Sequence, residues 1–449
     1  MVTGVRLAKA GRTGFTRRTA ILASLVLVVF AGSLLTFSHG TLNLGITRLD
    51  LDVYRMGAHA WLSGQPLYGQ FPPVQSGLDL GFTYPPISAV TMVPLAVVPA
   101  RVAAVLMTAV TIGLLLAVLA LFLSTAGLTP DRRASWRWAA ALSPLAVLIE
   151  PVRTTLAFGQ INVVLMALVA FDCLLPTTRW PRGILVGAAA ALKLTPGVFI
   201  LYFVATRQYR AAAYTAGSFA AVTGIGFLLA PSDSTRYWTQ TVFQTGRVGS
   251  QAFFDNQSLT GMLTRAGLTG HTFTAAWLLS CAVVVVLGFL AIRSTSGHGG
   301  IGRRGGAARV ENVQAENVQA VEPRNQLLPL CLTACVSLCV SPIAWSHHWV
   351  WASPALLTVL IFAWQKRDRR LLWLVGSALA LFIVFPASWF PRSNDVEMSW
   401  SWWQQIFGSA YVWVAVGLLA YYALIGLRGR RVATPAPASP TPASAASPR

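Results

Sequence analysis

The feature that most constrains this chain is the recurrence of long apolar runs along its whole length. Of its 449 residues, 55% are hydrophobic and only 11% are charged, whereas roughly 25% of residues are charged in soluble domains. Apolar runs of up to about 24 residues are long enough to cross the hydrocarbon core of a bilayer as helices. Because lipid-exposed backbone must satisfy its hydrogen bonds internally, the sequence predicts an all-α, polytopic integral membrane protein.

Twelve apolar runs are candidate membrane helices, and basic links separate most of them. The runs cover residues 19–38, 84–99, 101–124, 137–150, 159–176, 183–205, 211–230, 272–292, 327–345, 349–364, 371–388 and 410–427. The positive-inside rule places Lys- and Arg-rich links in the cytoplasm, and twelve full crossings cannot satisfy them all. Every link agrees if residues 84–99 are interfacial or re-entrant and 183–205 are two half-helices broken at 193–197. This topology has about ten full crossings; twelve crossings with weak charge bias remain the alternative.

The charge pattern also predicts how the chain is organised in a cell membrane. Residues 1–18 form a basic cytoplasmic N-terminus, and 19–427 form the membrane domain. Residues 294–326 are expected to be a flexible cytoplasmic insert, and 428–449 a disordered cytoplasmic tail. The net charge of +20 is concentrated in the links, where it faces anionic lipid rather than nucleic acid. The unusual polar residues then collect on the extracytoplasmic face, where we expect the active surface.

The polar residues exclude several chemistries. The chain contains no nucleotide-binding glycine-rich loop, metalloprotease histidine pair or serine-hydrolase elbow, and no residue cluster that requires a metal or cofactor. Asp50 follows the first apolar run, and carboxylates near hydrocarbon usually face a polar cavity. One carboxylate with several cations suits sugar transfer from a lipid phosphate, because a base deprotonates the acceptor hydroxyl while cations hold the departing phosphate. The candidates for holding the phosphate are Lys193, Arg153, Arg247, His347 and His348.

Eight short motifs occur in a defined order along the chain. They lie at residues 50–54, 82–86, 150–153, 158–162, 193–196, 246–249, 256–258 and 341–349. Over roughly residues 45–425 this arrangement resembles glycosyltransferase family 87, and most of all its actinobacterial polyprenol-phosphate-mannose-dependent α-(1→2) mannosyltransferases. The resemblance implies the GT-C membrane fold, a polyprenyl-phosphate-mannose donor, and a glycolipid acceptor of the phosphatidylinositol mannoside or lipomannan type. It also implies that Asp50 is the catalytic base. Acceptor or sugar contacts are expected from Asp52, Tyr54, Tyr84, Gln160, Asn162, Asn256 and Gln257.

Other interpretations of the same residues stay open. The two aspartates also fit as caps of the helix that begins near Tyr54, and the histidines, set among tryptophans, fit an interfacial aromatic belt. Lys193 also fits a snorkelling lysine, and Gln160 and Asn162 could instead hydrogen-bond neighbouring helices. The competing functions are an arabinofuranosyl- or glucosyltransferase of the same fold and a non-enzymatic lipid or solute carrier.

Overall fold

The computed structural model describes residues 49–74, 77–296, 324–392 and 394–431. Within these ranges the chain is helical and contains no β-strand, so the all-α prediction is confirmed. The one extended pairing there is an isolated antiparallel bridge between Asn256 and Trp345. The basic N-terminus, the apolar run 19–38, and most of the predicted insert and tail lie outside the described residues.

The described residues contain eighteen α-helices, which are numbered in chain order. The first nine are α1 (Leu49–Leu62), α2 (Pro86–Thr91), α3 (Val93–Ala96), α4 (Ala100–Thr125), α5 (Arg132–Leu148), α6 (Glu150–Phe158), α7 (Asn162–Leu174), α8 (Ile184–Leu192) and α9 (Ile200–Ala205). The others are α10 (Tyr209–Leu229), α11 (Pro231–Thr239), α12 (Leu259–Arg265), α13 (Gly270–Thr295), α14 (Arg324–Val340), α15 (Ala352–Lys366), α16 (Arg369–Val384), α17 (Trp402–Gly408) and α18 (Ala410–Arg431). Short 3₁₀ helices cover Thr195–Phe199, Thr241–Phe243, Thr245–Val248, Ser346–Trp351, Pro386–Trp389 and Val396–Ser399.

Two of the predicted boundaries differ from the helices. Of the expected insert 294–326, residues 294–295 lie in α13 and residues 324–326 in α14, while 297–323 lie outside the described residues. Of the expected tail 428–449, residues 428–431 lie in α18, and the rest lies outside the described residues. At these boundaries the helices extend beyond their apolar runs, because helical backbone hydrogen bonding does not require apolar side chains.

Four described helices, α4, α10, α13 and α18, are long and apolar enough to cross a membrane. The pair α5 and α6 makes a fifth if it counts as one span bent by 81°. The predicted crossings also include the run 19–38, outside the described residues, and several runs that form shorter or interrupted helices, which this criterion of length leaves out. Prolines stand in the first turn of four helices that begin after such a break, at Pro86, Pro94, Pro151 and Pro196. Proline has no N–H and is tolerated there, but it cannot continue a preceding helix.

The two segments that the charge pattern singled out are both interrupted. Residues 84–99 contain only the short helices α2 and α3. In the segment 183–205, α8 ends at Leu192, and Lys193 has an extended backbone with φ −151° and ψ 127°. The chain then resumes as the 3₁₀ helix Thr195–Phe199 before α9. The break therefore lies within the predicted stretch 193–197, and Lys193 lies in it, outside any regular helix.

Small residues bring the helices around this break into close contact. Gly187 of α8 lies so near the backbone of α10 that an added Cβ would collide with the carbonyl oxygen of Thr215. Gly288 of α13 lies against the side chain of Val336 of α14, whose Cγ2 an added Cβ would meet. Small residues allow helix backbones to approach, which is the usual basis of helix association in membranes. The helices that flank the break are therefore held by close packing.

Gly57 sets the distance between α1 and the loop that follows it. A Cβ at this position would collide with the buried Phe82 ring. We expect Gly57→Ala to lower the free energy of unfolding by about 1–3 kcal/mol, the usual cost of overpacking, and to lower the melting temperature in detergent. Gly113→Ala is the control, because Gly113 lies in α4 with open space around it. Equal melting temperatures for the two variants would contradict this packing.

Candidate active site

A cavity of about 580 Å³ lies between α1, the loop before α2, the break after α8 and the 3₁₀ helix Ser346–Trp351. Its volume is in the range of small-molecule sites, and its lining combines apolar walls with a few polar groups, as such sites do. The polar and charged side chains discussed below that line it are Asp50, Tyr84, Gln160, Lys193, Arg247, Asp255, His347 and His348. The cavity thus brings together side chains from opposite ends of the sequence.

Asp50 lies in the first turn of α1, where the helix dipole favours a negative charge. Removal from water raises its pKa from 3.8 to about 6, while the charge of Lys193 and a hydrogen bond from Gln160 act in the opposite direction. A carboxyl group whose pKa lies just below neutral pH is mostly ionised there and can still accept a proton. Asp50 is therefore suited to act as a general base.

A hydrogen-bonded network holds the Gln160 amide next to Asp50. Tyr54 Oη donates to Gln160 Oε1 at 2.7 Å, and Gln160 Nε2 donates to Tyr84 Oη at 3.1 Å. Tyr68 Oη in turn donates to the Tyr84 carbonyl oxygen at 2.8 Å. Because a glutamine amide carries two N–H groups, one can serve Tyr84 and the other Asp50. Tyr54 lies behind the cavity wall, whereas Tyr84 and Gln160 form part of it.

Lys193 is held by residues of α7 and of the 3₁₀ helix Ser346–Trp351. Its Nζ donates to Asn162 Oδ1 at 3.0 Å and lies 3.1 Å from His348 Nε2. It also lies 5.5 Å from the centre of the Tyr84 ring. Asn162 fixes the opposite wall as well, because its Nδ2 donates to the His347 carbonyl oxygen at 2.8 Å. Asn162 therefore positions the groups that line the cavity and lies outside its lining.

The two histidines are neutral hydrogen-bonding groups. Burial, and to a smaller extent the charge of Lys193, holds the pKa of His347 and His348 well below the usual range. In the described part of the chain, neither ring nitrogen of the buried His347 has a hydrogen-bond partner, and its ring packs edge-on against Phe158 at 5.3 Å. Buried polar groups are normally paired, so this imidazole is available to a group that enters the cavity.

The other predicted contacts differ in position. Arg247 lines the cavity and lies 5.9 Å from the Tyr68 ring centre. Arg153 lies outside the lining, and its Nη1 donates to the Leu148 carbonyl oxygen at 3.4 Å. Asp52 is buried on α1 and is also outside the lining. Of the two arginines proposed for the phosphate, Arg247 therefore has direct access to the cavity.

Asn256 and Gln257 are buried behind the cavity wall rather than in it. Gln257 Nε2 donates to the carbonyl oxygens of Phe254 and Gly408, at 2.9 and 2.7 Å. Asn256 Oδ1 accepts from the Ala344 amide at 3.1 Å. These bonds join two loops next to the bridge between Asn256 and Trp345, and they place the preceding residue, Asp255, in the cavity lining.

Asp255 is a cavity carboxylate that the sequence analysis did not assign to the site. Removal from water, and then the nearby Glu150, raises its pKa to about 7, while hydrogen bonding from the nearby Ser346 hydroxyl and the charge of Arg392 act in the opposite direction. The chain has only 14 acidic residues, so an aspartate in a predicted outer segment carried the same signal that pointed to Asp50. The motif resemblance instead assigns the neighbouring amides, Asn256 and Gln257, to the site.

Comparison with known proteins gives consistent matches. The pattern of glycosyltransferase family 87 matches residues 82–302. A polyprenol-phosphate-mannose-dependent alpha-(1-2)-phosphatidylinositol mannoside mannosyltransferase from Mycolicibacterium smegmatis is 38% identical over 389 residues, which cover 84% of this chain and 84% of that protein. The protein of the same description from Mycobacterium tuberculosis is 38% identical over 385 residues, 83% of each chain.

More distant matches point the same way or carry less weight. A polyprenol-phosphate-mannose-dependent alpha-(1-2)-phosphatidylinositol pentamannoside mannosyltransferase from M. smegmatis is 31% identical over 435 residues, 94% of this chain and 98% of that protein. The crystal structure of ArnT from Cupriavidus metallidurans bound to undecaprenyl phosphate is a more remote match. The alignment covers 93% of this chain and 79% of the ArnT chain, with a TM-score of 0.34 and 15% identity. The motif resemblance is thus confirmed by matches along most of the sequence, and this chain belongs to glycosyltransferase family 87 as a multi-pass membrane glycosyltransferase.

Proposed function

We propose that this protein transfers mannose from polyprenyl-phosphate-mannose to a hydroxyl group of a mannose-bearing glycolipid, a phosphatidylinositol mannoside or lipomannan. The product is an α-(1→2) linkage, formed with inversion on the extracytoplasmic face of the cell membrane. The observation that carries the proposal is that one cavity contains a carboxyl group with a raised pKa, Asp50, and the cation Lys193. The relatives with 38% identity, described by their dependence on polyprenol-phosphate-mannose, support the choice of donor.

The two groups have complementary roles in a single displacement. The Asp50 carboxylate accepts the proton of the acceptor hydroxyl as that oxygen attacks the anomeric carbon of the donor sugar. The bond between the anomeric carbon and the phosphate oxygen breaks, and its electron pair leaves with polyprenyl phosphate. Lys193, the neutral histidines and Arg247 stabilise the departing phosphate. An α product from a β-linked donor requires one inversion, so one base is sufficient and no covalent intermediate with the protein forms.

The surroundings of Lys193 suit a lipid-linked donor. Leu194 follows it directly, is 37% exposed and lines the same cavity. An apolar side chain that is exposed beside a cation offers contact to an isoprenoid chain next to its phosphate. The helices of spanning length are also mostly exposed: in the apolar stretch of each one, only 11–39% is buried inside the protein. These surfaces fit a protein that takes both substrates from the bilayer.

The raised pKa of Asp50 predicts an acid limb in the pH profile. Protonated Asp50 cannot accept the acceptor proton, so kcat/KM should fall about tenfold per pH unit below about pH 6 and level off above it. Initial rates at several acceptor concentrations, measured from about pH 4.5 to 8, check this prediction. A profile that stays flat through pH 6 while the protein remains folded would contradict the assignment of Asp50 as the base.

The proposed function itself is tested by reconstituting the reaction. Purified full-length protein in detergent, incubated with polyprenyl-phosphate-mannose and mannosylated phosphatidylinositol, should yield a glycolipid heavier by one hexose in mass spectrometry. Arabinofuranose or glucose linked to polyprenyl phosphate should be transferred much more slowly than mannose from polyprenyl-phosphate-mannose. Product formation from a nucleotide-linked mannose alone would overturn the proposal. Lipid movement in vesicles without any new glycosidic bond would favour the carrier.

We also propose that transfer needs no metal ion, because Lys193 and Arg247 can meet the phosphate charge. The described residues contain no group of three or more His, Cys, Asp and Glu side chains that could hold a metal ion. Turnover should therefore be unchanged by excess EDTA. Loss of activity in EDTA, followed by recovery on adding a divalent cation, would contradict this prediction.

A further inference from the structure

Asp255 is a second acidic group in the cavity, and the proposed transfer step does not use it. The 3₁₀ helix Ser346–Trp351 connects it to the catalytic groups. Ser346 lies within hydrogen-bonding reach of Asp255, and two residues later His348 Nε2 lies 3.1 Å from Lys193 Nζ. This short segment therefore runs along the cavity wall from a carboxylate end, at Asp255, to a cationic end, at Lys193.

The two ends favour different ligand groups. Glu150 lies behind the cavity wall, close enough to Asp255 for their charges to repel, so a phosphate at the carboxylate end would meet Asp255 with a second acid behind it. At the cationic end it would meet Lys193 and the ring nitrogens of His347, which have no hydrogen-bond partner among the described residues. Electrostatics thus places the donor phosphate at the cationic end. The carboxylate end is left for a neutral group that can donate hydrogen bonds.

The hydrogen bonds at Ser346 show that Asp255 can take a donor from a ligand. The Ser346 hydroxyl donates to Glu150 Oε1 at 2.7 Å, and Glu150 also accepts from Thr154 Oγ1 at 2.7 Å and Tyr411 Oη at 3.1 Å. A serine hydroxyl has a single hydrogen to donate. While it serves Glu150, it cannot also donate to Asp255. The Asp255 carboxylate can then accept a hydrogen bond from a group in the cavity, and sugar hydroxyls are such donors.

An aromatic ring lines the same cavity, on the residue that pairs with the neighbour of Asp255, Asn256. Trp345 is half-buried, lines the cavity and packs edge-on against Phe253, with ring centres 6.1 Å apart. Gly249 permits this position, because a Cβ there would lie 3.3 Å from the Trp345 ring. Gly249 also has φ +128°, in the region that favours glycine. An apolar ring face beside a hydrogen-bonding carboxylate can bind the C–H face of a sugar and its hydroxyls together.

The carboxylate end of the cavity also lies beside exposed loops. Ser250, at the cavity edge, is exposed and hydrogen-bonds the exposed Asp395. The cationic end instead lies at the helix break, next to the exposed apolar side chain of Leu194. A hydrophilic head group can therefore approach from the loop side, while an isoprenoid chain is better accommodated at the helix break.

We propose that Asp255 and Trp345 form the subsite that binds the sugar-bearing head group of the glycolipid acceptor. Asp255 accepts hydrogen bonds from sugar hydroxyls, and Trp345 packs against the ring. This inference rests on the proposed function for the identity of the acceptor, but not for the binding of a sugar. Asp255 acts here in acceptor binding and leaves proton transfer to Asp50.

The test is a comparison of two Michaelis constants in the full-length protein. Asp255→Asn keeps the shape of the side chain and removes its charge, so the KM for mannosylated phosphatidylinositol should rise at least about tenfold while the donor KM and kcat change by less than about threefold. Asp79→Asn, an exposed aspartate outside the cavity lining, is the matched control and should leave all three constants unchanged. A larger rise in donor KM, or no change in either KM, would overturn the proposal.

A binding experiment separates this inference from the proposed function. Quenching of tryptophan fluorescence should show tighter binding of mannosylated than of unmodified phosphatidylinositol, and Asp255→Asn should abolish the difference. If the wild-type protein transfers no mannose but this difference is present, the function fails and the subsite stands. If the wild-type protein transfers mannose and binds both lipids equally, the subsite fails. Should Asp255→Asn not fold, Trp345→Leu replaces it with the same expected loss, and Trp345→Phe should retain part of the preference.

Discussion

Asp50→Asn should lower kcat by about a thousandfold or more while the affinity for polyprenyl-phosphate-mannose changes less than about threefold. Loss of a general base typically costs 10² to 10⁴ in rate, and the amide cannot accept the acceptor proton. The shape of the side chain is kept, so the network of Tyr54, Tyr84 and Gln160 should survive. Single-turnover rates with saturating acceptor, together with equilibrium donor binding, measure the two quantities separately.

The control for this prediction is again Asp79→Asn, which changes an aspartate in the loop between α1 and α2 without touching the cavity lining. Its kcat should remain within about twofold of the wild-type value. A residual rate above a tenth of wild type in Asp50→Asn would show that another group, with Asp255 as the first candidate, accepts the proton. Equal loss of donor binding and turnover would instead indicate a structural role for Asp50.

Lys193→Met should lower kcat by about 10² to 10³, the usual cost of removing one preorganised group that stabilises developing charge. Methionine keeps the length of the side chain and loses the charge that we place against the departing phosphate. The same variant should also move the acid limb of kcat/KM to higher pH, because the charge of Lys193 holds down the pKa of Asp50. A purely structural role would not predict this second effect.

Lys366→Met is the matched control, because Lys366 is the exposed last residue of α15. It should leave both kcat and the position of the acid limb unchanged. If Lys193→Met keeps near-normal turnover, the phosphate is held by other groups, and Arg247→Met becomes the next variant to examine because Arg247 also lines the cavity. A lowered kcat without a shift of the acid limb would separate the phosphate role of Lys193 from its effect on Asp50.

The features that could be predicted from the sequence are those with local causes. Hydropathy over about 20 residues indicates a membrane helix, and this gave the all-α, multi-pass class. Proline chemistry is equally local, and the break at residues 193–197 was visible from Pro196 and the lysine before it. The motifs around Asp50 and Lys193 supported the family directly, because homologous chains keep the same order of residues.

The number of uninterrupted spans and the composition of the cavity wall depended on tertiary structure. The apolar runs outnumber the described helices of spanning length, because hydropathy does not report where the backbone hydrogen-bond ladder is interrupted. The motif resemblance grouped Asn256 and Gln257 with the site, but the bonds of these amides to buried main chain place Asp255 in the cavity instead.

The sequence by itself therefore determined the membrane class, the family, the break at Lys193 and the identity of the candidate base. Tertiary structure alone decided that Lys193 meets His348, 155 residues further along the chain, and that Asp255 shares a cavity with Asp50. The physical reason is range. Hydropathy, helix capping and proline geometry act within a few residues, whereas these contacts arise from the close packing of distant helices, which a single sequence does not record.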